Sequence, residues 1–141
     1  MIVVPDASVL LKWVLEKEEP ASYQQALNLQ AAFLAEEVEL RVPTLWRYEV
    51  GNVLGLKQPR LAGDLMKALL AFEFEEVPLQ QEFTLEVLTH MQEVPGVTFY
   101  DSAYHVLALR VEGVYVTADA AYVKRAKRKG HVTLLSEWAK A

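Results

Sequence analysis

The chain opens Met1-Ile2-Val3-Val4-Pro5-Asp6-Ala7-Ser8, and this stretch decides how the rest is read. Ile2, Val3 and Val4 are a short β-branched run, the composition of a strand buried on both faces. Pro5 cannot donate to a sheet ladder, so the strand is expected to end there. Asp6 then precedes a helix expected from Val9, Leu10, Leu11, Trp13 and Val14. A carboxylate is thereby presented at a strand-to-helix junction, the part of an open α/β sheet where ligands bind.

The same arrangement returns near the other end. Val114 to Thr117 is a second β-rich run, and Asp119 follows it directly before a helical segment. Between the two, Asp101 opens a helix through Val106, Leu107, Ala108 and Val111. In a parallel sheet with right-handed crossovers, such helix starts lie along one edge.

The intervening chain alternates strands and helices. Tyr23, Ala26, Leu27, Leu34 and Val38 recur at helical spacing, and Glu16 to Pro20 before them reads as a charged turn. Leu40-Arg41-Val42 is expected to be a strand closed by Pro43, with Thr44 capping a helix through Leu45, Trp46, Val50, Val53 and Leu54. Leu61 to Phe72 and Phe83 to Met91 carry further helical stripes, separated by an expected strand at Phe74 to Val77. A last strand is expected at Val132 to Leu135. This alternation predicts an α/β fold, a five-stranded, mainly parallel sheet covered by helices on both faces. The first helices between strands could instead form a hairpin beside the sheet.

At 141 residues the chain suits one domain over residues 1–141. With no cysteine, thiol catalysis and thiolate metal sites are excluded. No apolar run approaches membrane-span length, and no charged leader or cleavage signal precedes the first strand, so a cytoplasmic protein without membrane association is expected. The formal net charge of −5 argues against broad nucleic-acid binding but leaves room for a local basic patch.

Asp6, Asp101 and Asp119 each have a structural explanation, because aspartate is a good helix N-cap and its charge suits the helix dipole. Carboxylates gathered at one edge would need a proton or a cation, and a hard divalent metal with oxygen ligands fits that need. Glu49 is more informative, because it sits inside a helix among Leu45, Trp46, Tyr48, Val50 and Val53, away from any cap. An inward-facing Glu49 is favoured over one on a solvated face, and Asn52 shares its face three residues on. His90, His105 and His131 show no evident pairing; His105, one turn after Asp101, could approach the acids but reads rather as a helix-surface residue. Tyr100, Tyr104 and Trp13 could stack bases but are read as core or interface residues.

The run Lys124-Arg125-Ala126-Lys127-Arg128-Lys129 places five of the 14 cations in six residues. Cations suit a helix C-terminus, and Gly130 reads as the stop. Beside an acidic site, Lys124, Arg125, Lys127 and Arg128 could equally hold RNA phosphates.

Val4-Pro5-Asp6-Ala7-Ser8, Tyr48-Glu49-Val50-Gly51-Asn52-Val53-Leu54, Tyr100-Asp101-Ser102-Ala103-Tyr104 and Val116-Thr117-Ala118-Asp119 together resemble the PIN-domain ribonucleases, most of all VapC-type toxins of prokaryotic toxin–antitoxin pairs. The resemblance runs the length of the chain. It implies a PIN-like fold, Mg²⁺ or Mn²⁺ held by Asp6, Glu49, Asp101 and Asp119, and supporting roles for Ser8, Asn52 and Thr117. Some members carry a further acid after the last aspartate, where this chain has Ala120, Ala121 and Tyr122. The implied activity is endoribonuclease cleavage leaving a 5′-phosphate and a 3′-hydroxyl. The implied partners are an RNA substrate, a VapB-like antitoxin and a second copy in a homodimer, with Trp13, Leu34 or Trp46 in an exposed docking patch. A non-catalytic RNA- or protein-binding module and another Mg²⁺-dependent phosphoryl-transfer domain are the competing readings. Against the second, no acidic pair follows the first strand and no strand-end lysine is found.

Overall fold

A computed structural model describes residues 1–15 and 20–139. The expected charged turn at Glu16 to Pro20 lies largely outside them. The elements run β1 (Ile2–Pro5), α1 (Ala7–Leu11), α2 (Pro20–Leu34), β2 (Glu39–Pro43), α3 (Trp46–Lys57), α4 (Ala62–Leu70) and β3 (Glu75–Val77), then α5 (Gln81–Glu93), α6 (Phe99–Arg110), β4 (Val114–Thr117), α7 (Ala120–Ala126) and β5 (Val132–Leu134).

The five strands form one sheet in the order β3-β2-β1-β4-β5, and every pairing is parallel. From β1 the chain steps outward through β2 to β3, then returns to place β4 on the other side of β1. The order therefore reverses between β1 and β4, and the crevice at their carboxyl ends is the topological switch point. The register sets Val3 opposite Val114, Val4 opposite Tyr115 and Pro5 opposite Val116. Beyond the ladder, the Asp6 amide still donates to the Val116 carbonyl at 2.9 Å. That bond fixes Asp6 beside the end of β4.

Val3 and Val4 are wholly buried, as a central strand covered on both faces requires. Most of α6 is buried as well, Ser102 through Ala108 in one run, and it packs on β1, β2 and β4. Its close approach to the sheet is secured at Gly113, where a Cβ would stand 2.6 Å from the Ile2 carbonyl oxygen. On the other flank Trp13, Phe33, Trp46, Phe72 and Phe74 form an aromatic cluster with ring centroids 5.0 to 6.2 Å apart.

That cluster corrects the expected docking patch. Trp46 is buried, and Trp13 packs on Phe72 and donates its indole N–H to the Ala26 carbonyl, which leaves Leu34 alone exposed among the three. Thr44 does not cap α3 either. Leu45 takes the cap position without a side-chain bond, and the Thr44 carbonyl accepts from the Arg47 amide instead.

Candidate functional site

Asp6 caps α1, its Oδ1 accepting from the Ala7 amide at 2.9 Å. The same carboxylate does more than cap. Its Oδ2 accepts from the Ser8 hydroxyl at 2.8 Å and from the Thr117 hydroxyl, at the end of β4, at 3.0 Å. Thr117 Oγ1 in turn accepts from the Asp119 amide at 3.1 Å, so one hydroxyl ties the β1 acid to the turn that carries the β4 acid. Asp119 caps α7 through Oδ1 and the Tyr122 amide, and its side chain stands at the exposed rim.

Asp101 differs from the expectation. Thr98, not Asp101, caps α6, and Asp101 sits in the first turn with its amide donating to Thr98 Oγ1. Its side chain is left for another partner, and the Tyr115 hydroxyl donates to its Oδ1 at a long 3.4 Å. Glu49 is half-buried on α3, with Oε1 fully enclosed and without a hydrogen-bond partner. Asn52, one turn further along α3, is exposed.

The electrostatics of these acids are shared. Burial pushes the Asp6 carboxyl above its ordinary range, against the hydrogen bonds from Ser8, Thr117 and Ala7, and Asp119 adds to the rise. Burial raises Glu49 to about 7, with Asp6 and Asp101 contributing. Asp101 rises to about 6, again through burial first and then through Asp6 and Asp119. Asp6 thus lies in the field of Asp119, Asp101 in that of Asp6 and Asp119, and Glu49 in that of Asp6 and Asp101.

Among the described residues, no group of three or more His, Asp or Glu side chains stands as a ready metal cage. The donor chemistry nevertheless suits a hard cation, since all four groups offer carboxylate oxygen at the carboxyl ends of β1 and β4 and on the helices facing them. A groove of about 490 Å³ between α5 and α6, lined by Leu85, His90, Val106 and Arg110 among others, contains none of the four acids.

Two features escaped the sequence reading. Tyr104 and Tyr115 stack 5.8 Å apart beneath the acids, and burial first, then Glu49 and Asp6 for Tyr104 and Asp6 and Asp101 for Tyr115, hold both phenols far above their ordinary range. The signal lay in spacing: Tyr115 shares a strand face with Thr117, and Tyr104 shares a helix face with Asp101. His105, expected on the surface, is wholly buried. Its Nε2 lies 2.7 Å from the Gly130 carbonyl, which can only accept, so Nε2 carries the proton and Nδ1 accepts from the Tyr122 hydroxyl at 2.7 Å. Tyr122 in turn accepts from His90 Nε2 at 2.9 Å. Burial lowers His105 to about 4, which keeps this chain of bonds neutral and structural.

The basic run is largely engaged by the connection between α5 and α6. Arg125 donates to the Gly96 carbonyl at 2.7 Å, Arg128 to the Glu93 carbonyl, and Lys129 pairs with the Glu93 carboxylate at 2.5 Å. Lys124 and Lys127 are exposed. Gly130 ends the turn at φ 73°, as expected of a stop glycine.

A doubly wound parallel sheet with acids gathered at its switch point defines the class of protein. The PIN domain family model matches residues 3–129, and the chain belongs to that family. No curated protein sequence matches it. Its fold is similar to a chain of a toxin–antitoxin complex from Klebsiella pneumoniae at TM-score 0.68 and 15% identity, covering 94% of this chain and 97% of that one. It is likewise similar to a chain of VapBC2 from Rickettsia felis bound to promoter DNA, at TM-score 0.65 and 16% identity, covering 95% and 97%. PAE2754 from Pyrobaculum aerophilum shares 28% identity at TM-score 0.65, covering 96% and 84%.

Proposed function

We propose that this chain is a divalent-cation-dependent endoribonuclease and the toxin of a cytoplasmic toxin–antitoxin pair. One observation carries the reading: in a PIN-family chain, Asp6, Glu49 and Asp101 stand at one crevice, where burial first and then a neighbouring acid (Asp119 for Asp6, Asp6 for the other two) raises each carboxyl. Capping accounts for Asp6 and Asp119, but it accounts neither for Asp101, whose cap position Thr98 fills, nor for Glu49 in the body of α3. That difference favours the nuclease over a binding module whose acids are only caps.

Asp6, Glu49, Asp101 and Asp119 would hold Mg²⁺ or Mn²⁺. Bound there, the cation would lower the pKa of an attacking water and neutralise charge developing on the phosphodiester. Ser8 and Thr117 orient the Asp6 carboxylate by donating to Oδ2, which leaves Oδ1 a free lone pair beyond its bond from Ala7. Asn52, exposed on the same helix as Glu49, would face the substrate. Lys124 and Lys127 would take RNA phosphates, assisted by the remaining donors of Arg125 and Arg128. Attack by water needs no ribose 2′-hydroxyl, so the products carry a 5′-phosphate and a 3′-hydroxyl.

The antitoxin partner is supported by relatives of the same fold found in toxin–antitoxin complexes. A homodimer completes the proposed assembly. The test is incubation of purified protein with end-labelled single-stranded RNA, with Mn²⁺ or Mg²⁺ and with chelator. Metal-dependent fragments bearing 5′-phosphates are expected. Fragments ending in 2′,3′-cyclic phosphate, or cutting indifferent to chelator, would contradict the reading.

A further inference from the structure

Two buried oxygen atoms beneath the acids complete no hydrogen bond, Glu49 Oε1 and the Tyr104 hydroxyl. Tyr104 lies on α6 one turn past Asp101 and is wholly buried, its ring stacked on Tyr115 at 5.8 Å and 12°. A ring so enclosed is closed to a nucleobase. Phenylalanine would fill the same space without burying an unpaired hydroxyl, so packing alone does not explain a tyrosine here. The hydroxyl neighbours the Glu49 carboxyl, and both atoms are enclosed without another partner. A phenol carries its proton at neutral pH, so the hydroxyl can donate.

We propose that Tyr104 is a positioning residue of the acidic site, its hydroxyl donating to Glu49 Oε1 in the cation-loaded protein and leaving the other carboxylate oxygen for the ion. The inference rests on the metal-site reading above. A donor on one oxygen restrains the rotation of the carboxylate and presents its other oxygen to the site. Tyr115 plays the parallel part toward Asp101, so two stacked phenols would brace two acids from below.

The test compares wild type, Tyr104→Phe, Glu49→Gln and the double variant, by depletion of the free Mn²⁺ electron paramagnetic resonance signal and by RNA cleavage. Tyr104→Phe should bind Mn²⁺ about 10- to 100-fold more weakly, the usual effect of losing a partner that orients a ligand. Its kcat should fall with KM for RNA unchanged. In the Glu49→Gln background the same change should add no further loss, because the two groups act through one bond. A 3-fluorotyrosine at position 104 should show a Mg²⁺-dependent fluorine shift that Glu49→Gln abolishes, a readout that does not depend on the phenylalanine variant folding. Wild-type-like Mn²⁺ binding in Tyr104→Phe, losses that multiply in the double variant, or an unmoved fluorine resonance would overturn the role of Tyr104. A wild-type protein that binds no Mn²⁺ would overturn the metal-site reading itself, and this inference with it.

Discussion

The Thr117 hydroxyl donates to Asp6 Oδ2 at 3.0 Å across 111 residues of sequence, and with the Asp6 amide bond to the Val116 carbonyl it joins β1 and β4 at their carboxyl ends. It is wholly buried, and the same oxygen accepts from the Asp119 amide. A hydrogen bond to a group that ionises contributes more than one between neutral groups. Thr117→Val should therefore cost about 1.5–3 kcal/mol of unfolding free energy, read from urea denaturation at neutral pH. Thr117→Ser, which keeps the hydroxyl, should recover most of that loss. Equal stability of the valine variant and the wild type would show that this bond does not hold the strand ends together.

Glu49 and Asp101, raised to about 7 and about 6, make stability depend on pH in a direction opposite to that of salt-bridged acids. The unfolded chain gives up these protons first, so their contribution is complete below the ordinary carboxyl range and is lost as pH rises through those values. His105, lowered to about 4, works in the other sense, losing its contribution as pH falls from the ordinary imidazole range through that value. The carboxyl effect is isolated by comparing chelator with Mg²⁺ at each pH. The Mg²⁺-induced rise in Tm should be larger at about pH 8 than at about pH 5, because only ionised acids bind the ion. A rise of the same size at both would contradict the assignment of these acids to the cation.

The basic run divides into two groups with different expected behaviour. Lys124→Ala and Lys127→Ala should weaken RNA binding without lowering Tm, each reducing the slope of log K against log salt by about 0.7. Arg125→Ala should instead lower Tm, since the guanidinium satisfies the Gly96 carbonyl at the connection leading to Thr98 and Asp101. Filter binding across a salt series, with thermal melts alongside, separates the two. Unchanged salt slopes in both lysine variants would remove the run from the RNA path.

Much of this arrangement was legible because proline and β-branched residues mark the strands sharply. Pro5, Pro43 and Pro78 end or follow β1, β2 and β3, and the Val114–Thr117 strand falls where the sequence set it. The inward turn of Glu49 could be read from its apolar neighbours, and Oε1 is indeed enclosed. What escaped depends on tertiary partners. His105 gave no sign of burial because its partners, Tyr122 and the Gly130 carbonyl, lie 17 and 25 residues away. Thr98 and Asp101 both suit a helix start, and only the path of the preceding loop decides which one caps it. Trp13 and Trp46 looked available for a partner, whereas Phe33, Phe72 and Phe74 from distant segments enclose them in their own core. The basic run looked like one surface, whereas Glu93 and Gly96 occupy three of its five cations.

Asp6 offers the most direct test of the whole account, because it is the most buried of the four acids and touches both central strands. Asp6→Asn keeps the shape and removes a carboxylate that burial and Asp119 disfavour. The measurement is the rate of Mn²⁺-dependent cleavage of end-labelled single-stranded RNA by this variant beside wild type, with Tm recorded for both. The account expects cleavage to fall by about 100-fold or more, the scale of losing a directly acting group, while a cooperative melt in chelator shows the variant folded, its Tm lowered only by the hydrogen bond that the amide cannot accept. Cleavage at the wild-type rate by a folded Asp6→Asn protein would contradict it.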